Sequence, residues 1–217
     1  MKHLWKENDY YKIMKKLYFA TGNKQKLERM QTLASIVADD FIIEKVPKLI
    51  NVEENATTPL DNAIQKVEMY NNLDVPVIAW DTWVYFDGII FDPTHVKREA
   101  IKQAWLENDS SLSQEDIYHA MIWFYQKLAD EKGWEFPFYY TDWWAIKYPE
   151  WSIKTFETKR HNILTNTIHW VKQLYFPMCN LYKSQKTWKY YSDRTEEDNI
   201  WELEEQVQLL TNIYKNL

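Results

Sequence analysis

Glycine is scarce in this chain, with three in 217 residues. So few leave little room for positive φ, or for backbone to approach a ligand with no side chain between. A single cysteine, Cys179, excludes an internal disulfide framework and a multi-cysteine zinc site. It has no basic neighbour within two residues and reads as a small buried hydrophobe. No run approaches the roughly 18 apolar residues of a membrane-spanning helix, and residues 1–10 lack the apolar core of a secretory signal. These absences set the expectation of a cytoplasmic protein without a membrane partner. Positive charge is also in deficit: the net charge of −6 supplies no field for nucleic acid. His3, His95, His119, His161 and His169 are scattered without metal-ligand spacing. What is plentiful is aromatic: 12 Trp and 15 Tyr. Such residues suit an interface, because they bring area and a polar handle; aromatic filling of a core accounts for the same count.

The chain alternates strand and helix signals, then clusters strands. Residues 17–20 read as a short buried strand, and a helical period runs from Lys26 through Leu27, Met30, Leu33, Ala34 and Val37. The turn between them, Thr21-Gly22-Asn23, feeds a helix N-terminus, where backbone N–H groups and the helix dipole suit phosphate; Lys24 and Lys26 add charge. An ordinary strand–turn–helix corner reads the same way. Residues 41–46 form a second strand. Thr58-Pro59-Leu60-Asp61 opens a helix to about residue 71. Strands follow at 75–79 and 83–86, separated by a break at Asp81-Thr82. Helices open at Asp92-Pro93 and at Ser113, the second running to about residue 132. Residues 136–147 and 151–158 read as a hairpin, 167–176 as a third strand of that group, and Thr195 to Asp198 as a capping box opening a C-terminal helix. The expected class is mixed α/β (α+β), a single domain over 1–217 with residues 1–15 as an N-terminal extension.

Three groups of side chains suit polyphosphate chemistry. Asn62 and Lys66, at i and i+4, share a helix face and reach one ligand. Asp81 at a strand end can hold Mg²⁺ or deprotonate a water. Glu54, a hard carboxylate, suits a hard ion that bridges phosphate oxygens. Each has a plain reading when taken singly: Asp81 as a turn residue, Glu54 as a solvated loop charge, Lys66 as a solvated helix face.

Together these segments carry a resemblance. Phe19-Ala20-Thr21-Gly22-Asn23-Lys24, followed by Lys26-Leu27, resembles the opening motif of the inosine/xanthosine triphosphate pyrophosphatase (ITPase) family. The run from Glu54 to Lys66 resembles its second motif, with Ala56 in place of a glycine. Pro76-Val77 through Asp81-Thr82 resembles the third, with Trp80 where an acidic residue is usual. The resemblance implies an ITPase-like fold: a long central mixed sheet flanked by helices, with the site in a groove between two lobes. It implies Asp81 as the catalytic carboxylate, Glu54 and Asp81 as Mg²⁺ ligands, and Thr21, Asn23, Lys26, Asn62 and Lys66 around the phosphates. Tyr175 is the match for the aromatic that stacks the base.

The C-terminal half departs from the family. Phe176, Glu202 and Leu203 stand where an aspartate and a His-Arg pair read the purine edge, Asp198 replaces a lysine, and the glycines of a fourth signature near 90–97 are absent. Lys183 and Lys186 either touch phosphate or are solvated. The resemblance thus implies a purine (deoxy)nucleoside triphosphate such as dITP bound with Mg²⁺, with turnover weakened. That arrangement resembles the ITPase-like subunit of Kongming-type anti-phage systems, a nucleotide sensor paired with a sirtuin-like NAD-consuming effector. Family members are usually homodimers. An active pyrophosphatase with altered base preference, and a purely structural subunit, are the other two readings.

Overall fold

The computed structural model describes residues 14–50, 52, 56–86, 89–91, 93–106, 112–169 and 176–217. Seven strands make one sheet: β1 (Lys15–Phe19), β2 (Phe41–Lys45), β3 (Val77–Phe86), β4 (Ile89–Phe91), β5 (Glu135–Lys147), β6 (Ile153–Thr165) and β7 (Tyr182–Ser184). The helices are α1 (Lys24–Val37), α2 (Pro59–Glu68), α3 (Pro93–Gln103), α4 (Gln114–Glu131), α5 (Glu196–Glu202) and α6 (Glu204–Lys215). The order is β2-β1-β3-β5-β6-β7, with β4 on β3. Pairs β1–β2 and β1–β3 are parallel and the rest antiparallel, so the sheet is mixed as expected. Among the described residues no helix is long and apolar enough to cross a membrane.

Sequence signals set the helix starts. Asn23 caps α1, its side chain accepting from the Lys26 amide; Thr58 caps α2 with Pro59 behind it; Ser113 and Asp116 close a full capping box on α4. Three apolar clusters follow. Leu17, Phe19, Met30, Leu33, Trp144 and Leu210 tie α1 and α6 to one face of the parallel strands. Ala63, Val67, Val77 and Ala79 bury α2 on the other face. Phe86, Phe124, Phe138, Leu164 and Leu181 make a second lobe around α3 and α4. Each fully buried large side chain contributes about 1.5–3 kcal/mol.

Three expectations need correction. The break at Asp81-Thr82 does not exist: β3 is one ten-residue strand. Its partner β5 is thirteen residues long and pairs with every position from Val77 to Phe86, so the ladder carries the chain across the polar pair. Of the strand expected at 167–176, the described residues 167–169 and 176 are in no strand, and residues 170–175 lie outside the described set. Pro177 opens a 3₁₀ turn over Pro177–Asn180 before β7 takes the edge of β6. The C-terminal helix is divided at Leu203 (φ −99°, ψ 13°) into α5 and α6.

The two edges of β3 differ, and the difference positions the site. On one edge β5 runs the full length. On the other, β1 covers only Val77 and Ile78, and β4 covers only Val84 to Phe86. Residues 79–83 of that edge have no strand partner among the described residues.

Candidate functional site

Asp81 lies in this uncovered stretch. Strand alternation sends Ala79 and Asp81 to the α2 face, and Trp80 and Thr82 to the α1/α6 face. Asn62, buried on α2, donates its Nδ2 to Asp81 Oδ2 at 3.0 Å and accepts from the Ala56 amide at 3.2 Å. Lys66, one turn on, places Nζ 3.9 Å from Asp81 Oδ1. The carboxylate is thereby pinned by one donor and balanced by one cation.

From the opposite side comes Lys26, on the first turn of α1. Its Nζ donates to the Trp80 carbonyl at 3.5 Å and stands 5.2 Å above the Trp80 ring. Thr21 and Asn23 build the turn that aims it: Thr21 Oγ1 accepts from the Asn23 amide and Asn23 Oδ1 from the Lys26 amide, both at 3.1 Å. The cap uses the Lys26 N–H; those of Lys24 and Gln25 have no intrahelical acceptor and sit at the positive end of the dipole. Gly22 fits here through closeness, since a Cβ would stand 3.3 Å from Leu49 Cδ2.

The structure therefore brings Thr21, Asn23, Lys26, Asn62, Lys66 and Asp81 to one end of the parallel strands. Glu54 and Tyr175 lie outside the described residues. Among the described residues no three His, Cys, Asp or Glu side chains converge. A Mg²⁺ that keeps its waters and bridges phosphate oxygens asks for one or two carboxylates. Asp81 offers one, with an oxygen shared with Asn62, so the described residues fit the ion as a companion of phosphate rather than as one held by protein alone.

Trp80 shows what happened to the missing acid. It is 3% exposed, stacked on Phe19 at 4.7 Å and packed on Trp144 at 4.3 Å. Where the resembled motif usually carries an acid, this chain places a core residue.

Sequence reasoning missed a second cluster on that face. Asp142 lies opposite Thr82 on β5 and is fully buried. It accepts from Thr82 Oγ1 (2.5 Å), Gln206 Nε2 (2.5 Å), Arg160 Nε (3.2 Å) and Arg160 Nη2 (3.3 Å), and Arg29 Nη2 stands at 3.9 Å. Burial opposes the Asp142 charge, but Arg160 and Arg29 outweigh it and hold the carboxyl below its usual range. Arg29 is pushed down to about 10 by burial and by Arg160. The available signal was a lone aspartate inside an aromatic strand, since a charge in such a run is buried only when paired.

The C-terminal substitutions serve the fold. Ser184 Oγ donates to the buried Glu202 carboxylate. Asp198 accepts from the Thr195 amide and pairs with Lys189, both at 2.7 Å, which with the cap hold it down at about 2. Lys186 pairs with Glu204 at 3.1 Å and Lys183 with Glu135 at 2.8 Å. Phe176 is 40% exposed.

Comparison with known proteins agrees with this division. The model of the Ham1 family matches residues 17–112, which hold all six converging side chains. Over the whole chain the fold is similar to solved structures. The Ham1 protein of Staphylococcus aureus superposes with a TM-score of 0.64 at 18% identity, covering 93% of this chain and 99% of that one. A Ham1 protein of Coxiella burnetii gives 0.63 at 11%, covering 94% and 100%. A protein of Mycobacterium abscessus described as a nucleoside-triphosphatase / dITP/XTP pyrophosphatase gives 0.54 at 13%, covering 91% and 98%. No curated protein matches the sequence. The class is the mixed α/β ITPase-like fold. Within it the chain is similar to the Ham1 family by sequence over residues 17–112 and to Ham1 proteins by fold throughout.

Proposed function

We propose that this chain binds a purine (deoxy)nucleoside triphosphate such as dITP, with Mg²⁺, across the uncovered edge of β3, and that it senses the nucleotide more than it consumes it. The observation that carries the reading is the Asn62–Asp81–Lys66 arrangement on one face of β3, with Lys26 at the adjacent carbonyl from the other. Lys26 and Lys66 would offset phosphate charge from two sides, and the first turn of α1 would supply N–H donors. Mg²⁺, when bound, would supply charge neutralisation there. Asp81 would hold the ion and orient a water, with Glu54 as the further ligand that the motif implies.

Trp80 supports the sensor. With the second acid replaced by an indole in the core, the ion has one fewer ligand and the water one fewer acceptor. A sensor requires different affinities in two states and a coupled partner, not fast chemistry. By analogy that partner is a sirtuin-like NAD-consuming effector in anti-phage defence, with the chain as a cytoplasmic homodimer. The second reading, an active pyrophosphatase releasing (d)NMP and pyrophosphate, is favoured by the Asn62 bond that pins Asp81 for use.

Pyrophosphate release and thermal shift with ITP, dITP, XTP and the four dNTPs separate the two. Nucleotide- and Mg²⁺-dependent stabilisation with little release supports the sensor. Robust release, abolished in Asp81→Asn, establishes the enzyme. No shift with any nucleotide, and none altered by Lys26→Ala, leaves the structural subunit.

A further inference from the structure

Arg194 is the first unexplained group. Its Nε and Nη2 are buried without a hydrogen-bond partner, and so is Nε of Arg29. Its guanidinium lies 5.3 Å from the Tyr182 ring and 5.6 Å from the Tyr191 ring, and Tyr191 is 41% exposed. Close by, Arg160 lies 4.7 Å from the Tyr140 ring and shares the Asp142 carboxylate with Arg29. Buried donors left open cost free energy until something accepts from them. We propose that Arg194, backed by Tyr182 and Tyr191, receives a second anionic group of the ligand, separate from the triphosphate. A guanidinium fork suits paired acceptor oxygens, and a tyrosine face suits a flat group beside it.

This inference rests on the nucleotide reading above, and its test separates the two. Titrations would use ITP, XTP at a pH where its ring is ionised, and a guanosine 5′-triphosphate 3′-diphosphate. The first carries no second anion, the second carries it on the base and the third on the sugar. The expected result is at least tenfold tighter binding of one of the last two than of ITP, with the preference lost in Arg194→Met and partly kept in Arg194→Lys. Equal affinities, or an Arg194→Met loss that is the same for all three, would overturn it. Absence of binding by all three overturns the nucleotide reading itself.

Tryptophan carries a second inference, on separate grounds. Among the described residues four non-glycine positions have positive φ, and all four are Trp: Trp105 (60°), Trp134 (81°), Trp151 (74°) and Trp188 (59°). They are 92%, 68%, 61% and 65% exposed. Bulky residues almost never take this region, where Asn and Asp are the usual exceptions. With 12 Trp in 217 residues, a fourfold coincidence is on the order of one in 10⁵.

The local hydrogen bonds identify Trp105 and Trp151 as positions made for glycine, and Trp134 and Trp188 share their left-handed backbone. After α3, the Leu106 amide bonds to Ile101 O and the Trp105 amide to Lys102 O, the paired bonds that put glycine at the Trp105 place. After α4, the Trp134 amide bonds to Ala129 O, directly behind Gly133, itself at φ 96°. In the β5–β6 hairpin, the Trp151 amide bonds to Tyr148 O and the Tyr148 amide to Ser152 O. That is a tight turn followed by the left-handed bulge residue that is normally glycine. Trp188 closes the loop between Ser184 and Lys189 in the same conformation.

We infer that the cell which makes this protein inserts glycine at these four positions. The codon UGA, read as tryptophan in some genetic codes and as glycine in others, accounts for both the surplus of one residue and the scarcity of the other. The four most exposed indoles among the described residues are then no partner-binding surface.

The test has three readings. The gene should carry UGA at all four positions, and UGG there would overturn the inference. Peptide masses of the protein from its own cells should show glycine, and tryptophan would overturn it. In recombinant protein, each of Trp105→Gly, Trp134→Gly, Trp151→Gly and Trp188→Gly should raise Tm by about 2–4 °C; a fall in all four would overturn it.

Discussion

The two halves of the molecule spend their charges differently. In the N-terminal half Lys26, Lys66 and Asp81 point at one uncovered strand edge from three directions. In the C-terminal half Lys183, Lys186, Lys189, Asp198 and Glu202 are each satisfied by a neighbour in the same lobe. In the first region charges from separate elements meet at one strand edge, and in the second each charge pairs close to where it stands. The match to the Ham1 family model ends between these regions, at residue 112.

Substitutions can break or sharpen this contrast. The largest effect belongs to Trp80→Glu, which restores the acid of the motif. It should destabilise by about 3–5 kcal/mol in urea, since it trades a buried aromatic for a charge among Phe19 and Trp144. If the protein keeps its stability, Trp80 is not core and the argument for weakened turnover fails. Asp142→Ala comes next, at about 3–5 kcal/mol, because two guanidiniums lose their carboxylate. The same group gives a pH signature. Its folded pKa is depressed, so its contribution is complete above the unfolded value of about 3.9 and is lost as pH falls through the folded one. Acid unfolding should therefore be less steep in Asp142→Asn, as followed by circular dichroism. Lys26→Ala should weaken triphosphate binding by about tenfold, leaving Tm without ligand within a degree or two, by calorimetry. The smallest effect is Lys186→Met. Its ion pair with Glu204 is surface-exposed, so both stability and nucleotide affinity should change by less than about 0.5 kcal/mol.

Much of this was legible in the sequence for physical reasons. Caps and prolines fix helix starts locally, so α1, α2 and α4 were read close to their ends. The i, i+4 spacing of Asn62 and Lys66 guaranteed a shared face, and the structure turns that face to Asp81. What was missed depends on partners distant in the chain. Asp81-Thr82 looked like a break because nothing nearby shows that β5 will pair with it. The Asp142 cluster draws on α1, β3, β5, β6 and α6, whose meeting no local pattern announces. Lys186 was open between touching phosphate and being solvated, because its acid partner lies eighteen residues further on.

β3 passes from one hydrophobic cluster into the other without a joint. Ile78 belongs to the α1/α6 cluster, and Val84 and Phe86 to the one around α3 and α4. A tilt of one lobe on the other must then be absorbed as twist along a continuous ribbon whose middle, residues 79–83, β5 alone clamps among the described residues. Asp81 sits midway along that ribbon, so it would feel such a twist before any loop at the surface did.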